Sequence, residues 1–250
     1  MQAFVSDIHA NIEALRAVLD HAKSLNVDEI YCLGDVIGYG PDPRRCLDMA
    51  KTFTGCLRGN HEQALLSSAE DFNIQARRAL EWTRDEINSS DYSREENREY
   101  WNFVDSLPTV IFRDEFMLVH GSPRDRVHEY VVPEDVYDKH KMNELFRLLE
   151  RPVCLIGHSH LPGLYLENFS FLPQDSLDGG FALPQGKRAI INVGSVGQPR
   201  DGDPRACFAT LDNGTLEFHR VPYDVDRTFE KIMNTGKLPL FLAARLKEGK

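Results

Sequence analysis

Cysteine is scarce and unpatterned in this chain. Its five cysteines, Cys32, Cys46, Cys56, Cys154 and Cys207, are odd in number and scattered over 250 residues, with no C-x-x-C pair. That excludes a thiolate zinc ribbon and argues against a disulfide framework. Cys32, Cys154 and Cys207 lie inside apolar runs, so the thiols read as buried and reduced, as in a cytoplasmic protein. Long apolar runs are missing too. None approaches the length of a membrane span, and Met1 leads straight into Ala3-Phe4-Val5 and Asp7 rather than into a signal peptide. Positive charge is in deficit: 29 Lys and Arg stand against 39 Asp and Glu, a formal net charge of -10. Such a surface repels nucleic-acid backbones and anionic membranes, which disfavours a nuclease. Cations bound in a cleft would reverse this locally.

What is present is an ordinary globular composition, 42% hydrophobic and 27% charged. The length suits one α/β domain over 1–250. Short apolar runs recur at Ala3–Val5, Ile30–Leu33, Phe116–Val119, Val153–Ile156, Ala189–Val193 and Cys207–Leu211. Each is bounded by Gly, Pro, Asp or His and reads as a buried strand. From Asn11 to Ser24, Ile12, Leu15, Val18, Leu19 and Ala22 share one helical face. Pro43 opens a short helix to Ala50. This alternation predicts βαβ units. Residues 68–107 are charged and helical, broken at Asn88-Ser89-Ser90-Asp91, and form either a helical insertion beside the core or two plain helices covering the sheet. Asn213-Gly214 predicts a type I′ hairpin turn, and 225–247 predicts one or two closing helices.

Five segments share one design, an apolar strand followed by a metal-binding side chain. They end in Asp7 and His9, in Asp35, in Asn60 and His61, in His120, and in His158 and His160. In open α/β sheets, sites form beyond the carboxyl ends of strands. An extended backbone through Asp7-x-His9 and His158-x-His160 would point alternate residues to the same side. Oxygen donors from Asp and Asn mix with imidazoles, and no thiolate takes part. That mixture suits borderline divalent ions better than calcium. Seven side chains exceed the need of one ion. A carboxylate can bridge two, and Asp35 from the middle of the set is placed to do so. Two ions about 3.5–4 Å apart form the clamp used in phosphoryl hydrolysis.

The series Asp7-x-His9, Gly34-Asp35-x-x-Gly38, Gly59-Asn60-His61-Glu62, His120-Gly121 and Gly157-His158-Ser159-His160 resembles the motifs of the calcineurin-like metallophosphoesterases. Asn192 to Arg200 resembles the segment that follows in stand-alone bacterial and archaeal members. The resemblance implies a four-layer α-β-β-α sandwich of two sheets flanked by helices. It implies that Asp7, His9 and His160 hold a first metal, that Asn60, His120 and His158 hold a second, and that Asp35 bridges them. His61 would face the substrate. In the protein-phosphatase branch an Asp three residues after the bridging Asp orients the catalytic His; here that position is Gly38.

The reaction expected is hydrolysis of a small phosphoester, diester or monoester, by a metal-bridging hydroxide, with His61 as general acid. The cofactor is two divalent metal ions, manganese ahead of iron, zinc or nickel. Arg200 either binds a substrate oxygen or belongs to a surface turn, and Asn11 either faces the cleft or caps a helix. Competing expectations are a dinucleoside polyphosphate hydrolase, a protein phosphatase and a non-catalytic scaffold, the last opposed by the intact ligand set. No membrane partner is expected, and a homo-oligomer is compatible with the sequence.

Overall fold

In a computed structural model, which describes residues 1–177, 179–183 and 186–250, the apolar runs pair as strands. The first half contains β1 (Gln2–Val5), α1 (Ile12–Ser24), β2 (Glu29–Cys32), α2 (Pro43–Ala50) and β3 (Gly55–Cys56). Three helices follow, α3 (Asn60–Leu66), α4 (Ile74–Ile87) and α5 (Arg94–Ser106). Next come β4 (Ile111–Arg113), β5 (Phe116–Leu118), α6 (Lys139–Arg147), β6 (Val153–Ile156), β7 (Gly163–Leu166) and β8 (Phe171–Pro173). The chain continues through β9 (Phe181–Ala182), β10 (Ala189–Asn192), β11 (Ala206–Asp212), β12 (Thr215–Val221), α7 (Val225–Thr235) and α8 (Leu240–Glu248).

Two six-stranded sheets result, ordered β3-β2-β1-β11-β12-β9 and β4-β5-β6-β10-β7-β8. In the first, β1, β2 and β3 are parallel and β11 returns antiparallel to β1. In the second, β5, β6 and β10 are parallel. Strand alternation separates the layers. Phe4, Tyr31 and Leu33 from one sheet meet Leu118, Leu155 and Ile191 from the other. The intervening Ala3, Val5 and Cys32 face α1 and α2, and Met117, Cys154 and Ile190 face α6. A strand buried on both faces needs no polar side, which is why these runs read as continuous apolar stretches. The architecture is the α-β-β-α sandwich.

The local signals act as their chemistry requires. Asn11 Oδ1 accepts from Ala14 N–H and caps α1. Asn213 and Gly214 both have positive φ, 48° and 79°, and join β11 to β12. A break that begins at Asn88 separates α4 from α5. Ile87, Tyr100 and Val104 join the core beneath the first sheet, while Ala79 and Trp82 pack with Ile232 of α7 and Leu242 of α8. Arg44 locks α4 in place. Its Nη1 donates to the Ile87 carbonyl (3.1 Å) and to Asn97 Oδ1 (2.7 Å), and its guanidinium lies over the Tyr92 and Tyr100 rings. All five cysteines are free and buried. No described helix is long and apolar enough to cross a membrane.

Candidate metal centre

The parallel strands of both sheets end on the same side, and the seven expected ligands gather there. Asp7 Oδ1 lies 3.1 Å from His160 Nε2, and His9 Nε2 lies 3.2 Å from the same nitrogen. On the other flank His120 Nε2 is 3.0 Å from Asn60 Oδ1 and 3.1 Å from His158 Nδ1. Asp35 sits between the flanks, its Oδ2 3.3 Å from His120 Nε2 and 3.9 Å from His9 Nε2. Ligand atoms of Asp7, His9 and His160 fall within 4.8 Å of one another, and so do those of Asp35, His120 and His158, and those of His9, Asp35 and His61. All these residues are buried.

The backbone that brings them together is not the extended one expected. β1 stops at Val5 and β6 at Ile156. Asp7, His9, Asp35, His158 and His160 all adopt left-handed backbone, with φ between 48° and 65°. Non-glycine residues there carry a steric cost, so the surroundings must hold them. Asp7 N–H donates to Gly34 O (3.0 Å) and His9 N–H to Asp35 O (2.9 Å), which ties the loop after β1 to the loop after β2. Convergence thus comes from tight turns beyond the strands.

Glu62 ties a third loop in. It is wholly buried, and its carboxylate accepts from the N–H of Asp35 (2.8 Å), Gly59 (2.9 Å) and Ile37 (3.1 Å). Burial, then the charge of Asp35, push its pKa up to about 7. Glu62 therefore positions the loops carrying Asp35 and Asn60 and makes no bond to the His61 ring. The close fit also depends on Gly59, where a Cβ would lie 2.1 Å from Asp35 Oδ1. Glu62 was legible only as the fourth letter of a motif.

The proton positions of four imidazoles follow from their outer partners. His9 Nδ1 faces the Ile37 carbonyl (3.2 Å), His120 Nδ1 that of Leu33 (2.9 Å), His158 Nε2 that of His128 (3.1 Å) and His160 Nδ1 that of Gln198. A carbonyl only accepts, so each of these nitrogens carries the hydrogen, and in the neutral rings of His9, His158 and His160 the inner nitrogen presents a lone pair; His120 has the same outer anchor and offers its inner nitrogen once a metal displaces the proton there. Lone pairs of His9 and His160 then face each other at 3.2 Å, beside an Asp7 Oδ1 that is buried without a hydrogen-bond donor. Such an arrangement repels itself unless a cation lies between, so the donor set fits divalent metal. Burial, reinforced by neighbouring imidazoles, holds His9 well below the usual histidine range and His158 down to about 3. Burial would also lower His120, but Asp35 beside it raises it to about 9.

His61 differs from these four. Its Nε2 comes within 3.9 Å of Asp35 Oδ2, but its Nδ1 is buried with no partner. In place of an orienting carboxylate, rings hold it: Tyr39 at 4.5 Å between centroids, Phe72 edge-on at 5.1 Å and His9 at 4.8 Å. Gly38 forms its floor, with no room for a side chain. Burial lowers His61 to about 4, opposed in part by Asp35. Tyr130, 48% exposed, stacks on His158 at 3.8 Å. Tyr39, Phe72 and Tyr130 with Asn60 and His158 line an opening of about 230 Å³. These aromatic walls escaped the sequence reading, because single rings in loops carry no spacing signal.

The two expected substrate residues lie differently. Asn11 is buried, and its amide is engaged with Ala14, Gly197 and Tyr223, with its Oδ1 also accepting from Thr228. Arg200 follows the Gln198 whose carbonyl holds His160. Its Nη2 donates to Gln198 Oε1 (2.9 Å), and its Nε is buried without an acceptor.

The model of the calcineurin-like phosphoesterase superfamily domain matches residues 1–215. An uncharacterized protein of Methanocaldococcus jannaschii is 34% identical over 98% of this chain and 97% of its own length. The crystal structure of a metallophosphoesterase from Sphaerobacter thermophilus superposes with a TM-score of 0.81 at 34% identity, covering 100% of this chain and 98% of that one. A hypothetical protein from Pyrococcus horikoshii OT3 shares the fold at 21% identity, with a TM-score of 0.77 over 100% of this chain and 99% of its own. With two sheets closing on a buried Asp, Asn and His cluster, and with these matches spanning nearly its whole length, the chain belongs to the calcineurin-like phosphoesterase superfamily.

Proposed function

We propose that the protein hydrolyses a small phosphoester using two divalent metal ions. Asp7, His9 and His160 would hold one, Asn60, His120 and His158 the other, with Asp35 between them. The observation that carries this reading is the set of inward-facing imidazole nitrogens, each fixed by a backbone carbonyl on the far side of its ring. Bound there, the ions supply an activated water and neutralise phosphoryl oxygens. The mixed N and O donors favour manganese, with iron, zinc or nickel as alternatives. Five free, buried thiols suit a reducing cytoplasm.

The chain's own residues supply the rest. His61 stands beside Asp35, and its Nε2, 3.9 Å from Asp35 Oδ2, is the nitrogen placed to donate a proton to the departing oxygen. Its low pKa in the ligand-free protein is a consequence of burial. The negative charge of a bound phosphoester works in the opposite direction and raises it toward neutrality. Tyr39, Phe72 and His9 hold the ring of His61 without a carboxylate partner, and Tyr130 covers His158.

Metal analysis beside turnover of p-nitrophenyl phosphate and its bis-ester tests this reading. Asp35→Ala and Asn60→Ala should lower metal content and activity together. His61→Ala should keep its metal and lose most turnover. A His61→Ala protein with the parent rate would remove the acid role, and a metal-loaded protein inactive on every phosphoester would remove the hydrolase.

A further inference from the structure

The charged helical stretch between β3 and β4 sends one loop to the mouth of the metal centre. That loop, Ala69 to Asn73, joins α3 to α4 and is pinned along its length. Phe72 N–H donates to the Ala69 carbonyl (3.1 Å), and Arg77 of α4 donates Nε to the same carbonyl (3.2 Å) and Nη2 to that of Glu70. Asn73 Oδ1 accepts from the N–H groups of Gln75 and Ala76 and caps α4. Phe72 is thereby held against His61, with Asp71 exposed beside it.

A second loop is held as firmly. The His128 carbonyl accepts from His158 Nε2, and the Tyr130 carbonyl accepts from Lys141 Nζ (2.8 Å), which is itself paired with Asp135. Between these anchors Tyr130 lays one face on His158, its plane tilted by 23°. The ring is nonetheless 48% exposed, so its other face is open. Open aromatic faces on rigid backbone are stacking platforms for flat groups.

Both loops line one opening of about 230 Å³, together with Asn60 and His158 of the metal centre. Whole ligand sites span about 300–1,000 Å³, so this one suits a single ring system rather than a long chain. No lysine or arginine is among its described lining residues, and the carboxylate there, Asp71, makes no ion pair among the described residues. A second anion would therefore meet repulsion. Phe72 touches His61, the group placed to protonate the departing oxygen, so the leaving part of the substrate lies on this side.

We infer that this opening seats a planar aromatic group on the leaving side of the phosphoester, stacked on the outer face of Tyr130, with Asp71 turning away anionic substituents. This rests on the hydrolase reading above and narrows its substrate class to phosphoesters whose leaving alcohol carries an aromatic ring. It also gives the helical stretch a part in recognition, through Asp71 and Phe72.

The test uses the full-length, manganese-loaded protein with benzyl and cyclohexylmethyl phosphates, each as the monoester and as the methyl diester. Both leave as primary alkoxides from a six-membered ring. Greasiness alone favours the saturated ring, whereas stacking favours the flat one. We expect kcat/KM about tenfold higher for benzyl, mainly through KM. Tyr130→Leu should erase that ratio and Tyr130→Phe should keep it. A para-carboxybenzyl ester should fall about threefold or more below its neutral carbamoyl counterpart, and Asp71→Asn should close the gap. A ratio near one in the parent, or one that survives in Tyr130→Leu, overturns the stacking; equal carboxyl and carbamoyl substrates remove the role of Asp71.

A binding measurement separates this from failure of the hydrolase reading. Benzylphosphonate, which is not hydrolysed, should raise the melting temperature of the metal-loaded protein more than cyclohexylmethylphosphonate does, and Tyr130→Leu should abolish the difference. If no phosphoester is turned over, the hydrolase reading falls and these melting shifts alone decide the aromatic seat. Equal shifts in the parent protein sink it.

Discussion

Replacing Gly38 with alanine should silence His61 while leaving the fold nearly intact. The added Cβ would lie 2.0 Å from His61 Nδ1, 2.8 Å from Cε1 and 3.0 Å from Cγ. Ordinary contact needs about 3.5 Å, so the ring must retreat by about 1.5 Å. It is wedged between Tyr39, Phe72 and His9 and has no free direction except out of line with Asp35. A misplacement of about 1 Å in a reacting group costs on the order of 100-fold in rate. The backbone adds its own penalty, since φ is +87° and an L-residue there loses about 1 kcal/mol. Gly214 is the control. Its φ is +79°, and nothing lies within 4 Å of the Cβ it would gain. Both substitutions should keep the parent metal content; Gly214→Ala should lose only the backbone cost of about 1 kcal/mol by thermal melting, and Gly38→Ala that cost plus about 1–3 kcal/mol for the displaced ring. Only Gly38→Ala should lose kcat, by about 100-fold. Turnover by Gly38→Ala within threefold of the parent would refute the placement of His61 or its role.

Other outcomes follow from the same contacts. Glu62→Gln puts an amide donor against one of three backbone N–H groups, so it should destabilise by about 1–3 kcal/mol. By loosening two ligand loops it should also weaken metal affinity by about 10- to 100-fold in titrations; parent affinity would show that Glu62 is not needed there. Arg44→Ala removes hydrogen bonds to Ile87 and Asn97 and two ring contacts, and should cost about 2–4 kcal/mol with unchanged kcat per folded molecule. Acidification has a definite sign in metal-free protein. His9, His61, His158 and His160 all sit below 6.5 in the fold, so each contributes stability present above 6.5 and lost as pH falls through its lowered pKa. Glu62, raised from 4.5 to about 7, contributes stability present below 4.5 and lost as pH climbs through 7. Four groups outweigh one, so the melting temperature should rise from pH 4.5 to 6.5; a fall across that window contradicts the burial of neutral imidazoles.

Much of this was legible in the residues. The strand cores alternate between two packed faces, so β1, β6 and β10 announce themselves as short apolar runs. Asn213-Gly214 dictates its turn chemically. The candidate ligands stood out because five segments repeat one pattern. What the sequence concealed has physical reasons. Strand β9 is two residues long and owes its pairing to its neighbour rather than to any internal pattern. Left-handed φ at Asp7, His9, Asp35, His158 and His160 leaves no trace in residue type, since glycine is the usual marker and none of these is glycine. Tyr39, Phe72 and Tyr130 reach the site from loops, at separations where no period operates. Asn11 shows the converse, a residue beside a motif whose amide is fully employed inside the protein.

The outer acceptors of the four imidazoles are all main-chain carbonyls, at Ile37, Leu33, His128 and Gln198. A carbonyl belongs to every amino acid, so substitution at those positions leaves the acceptor in place as long as the loop keeps its path. The tautomers are thus inherited from the trace of the chain and not from its lettering. Drift among descendants could rewrite the side chains around the cluster extensively, yet the four rings would go on offering the same nitrogens.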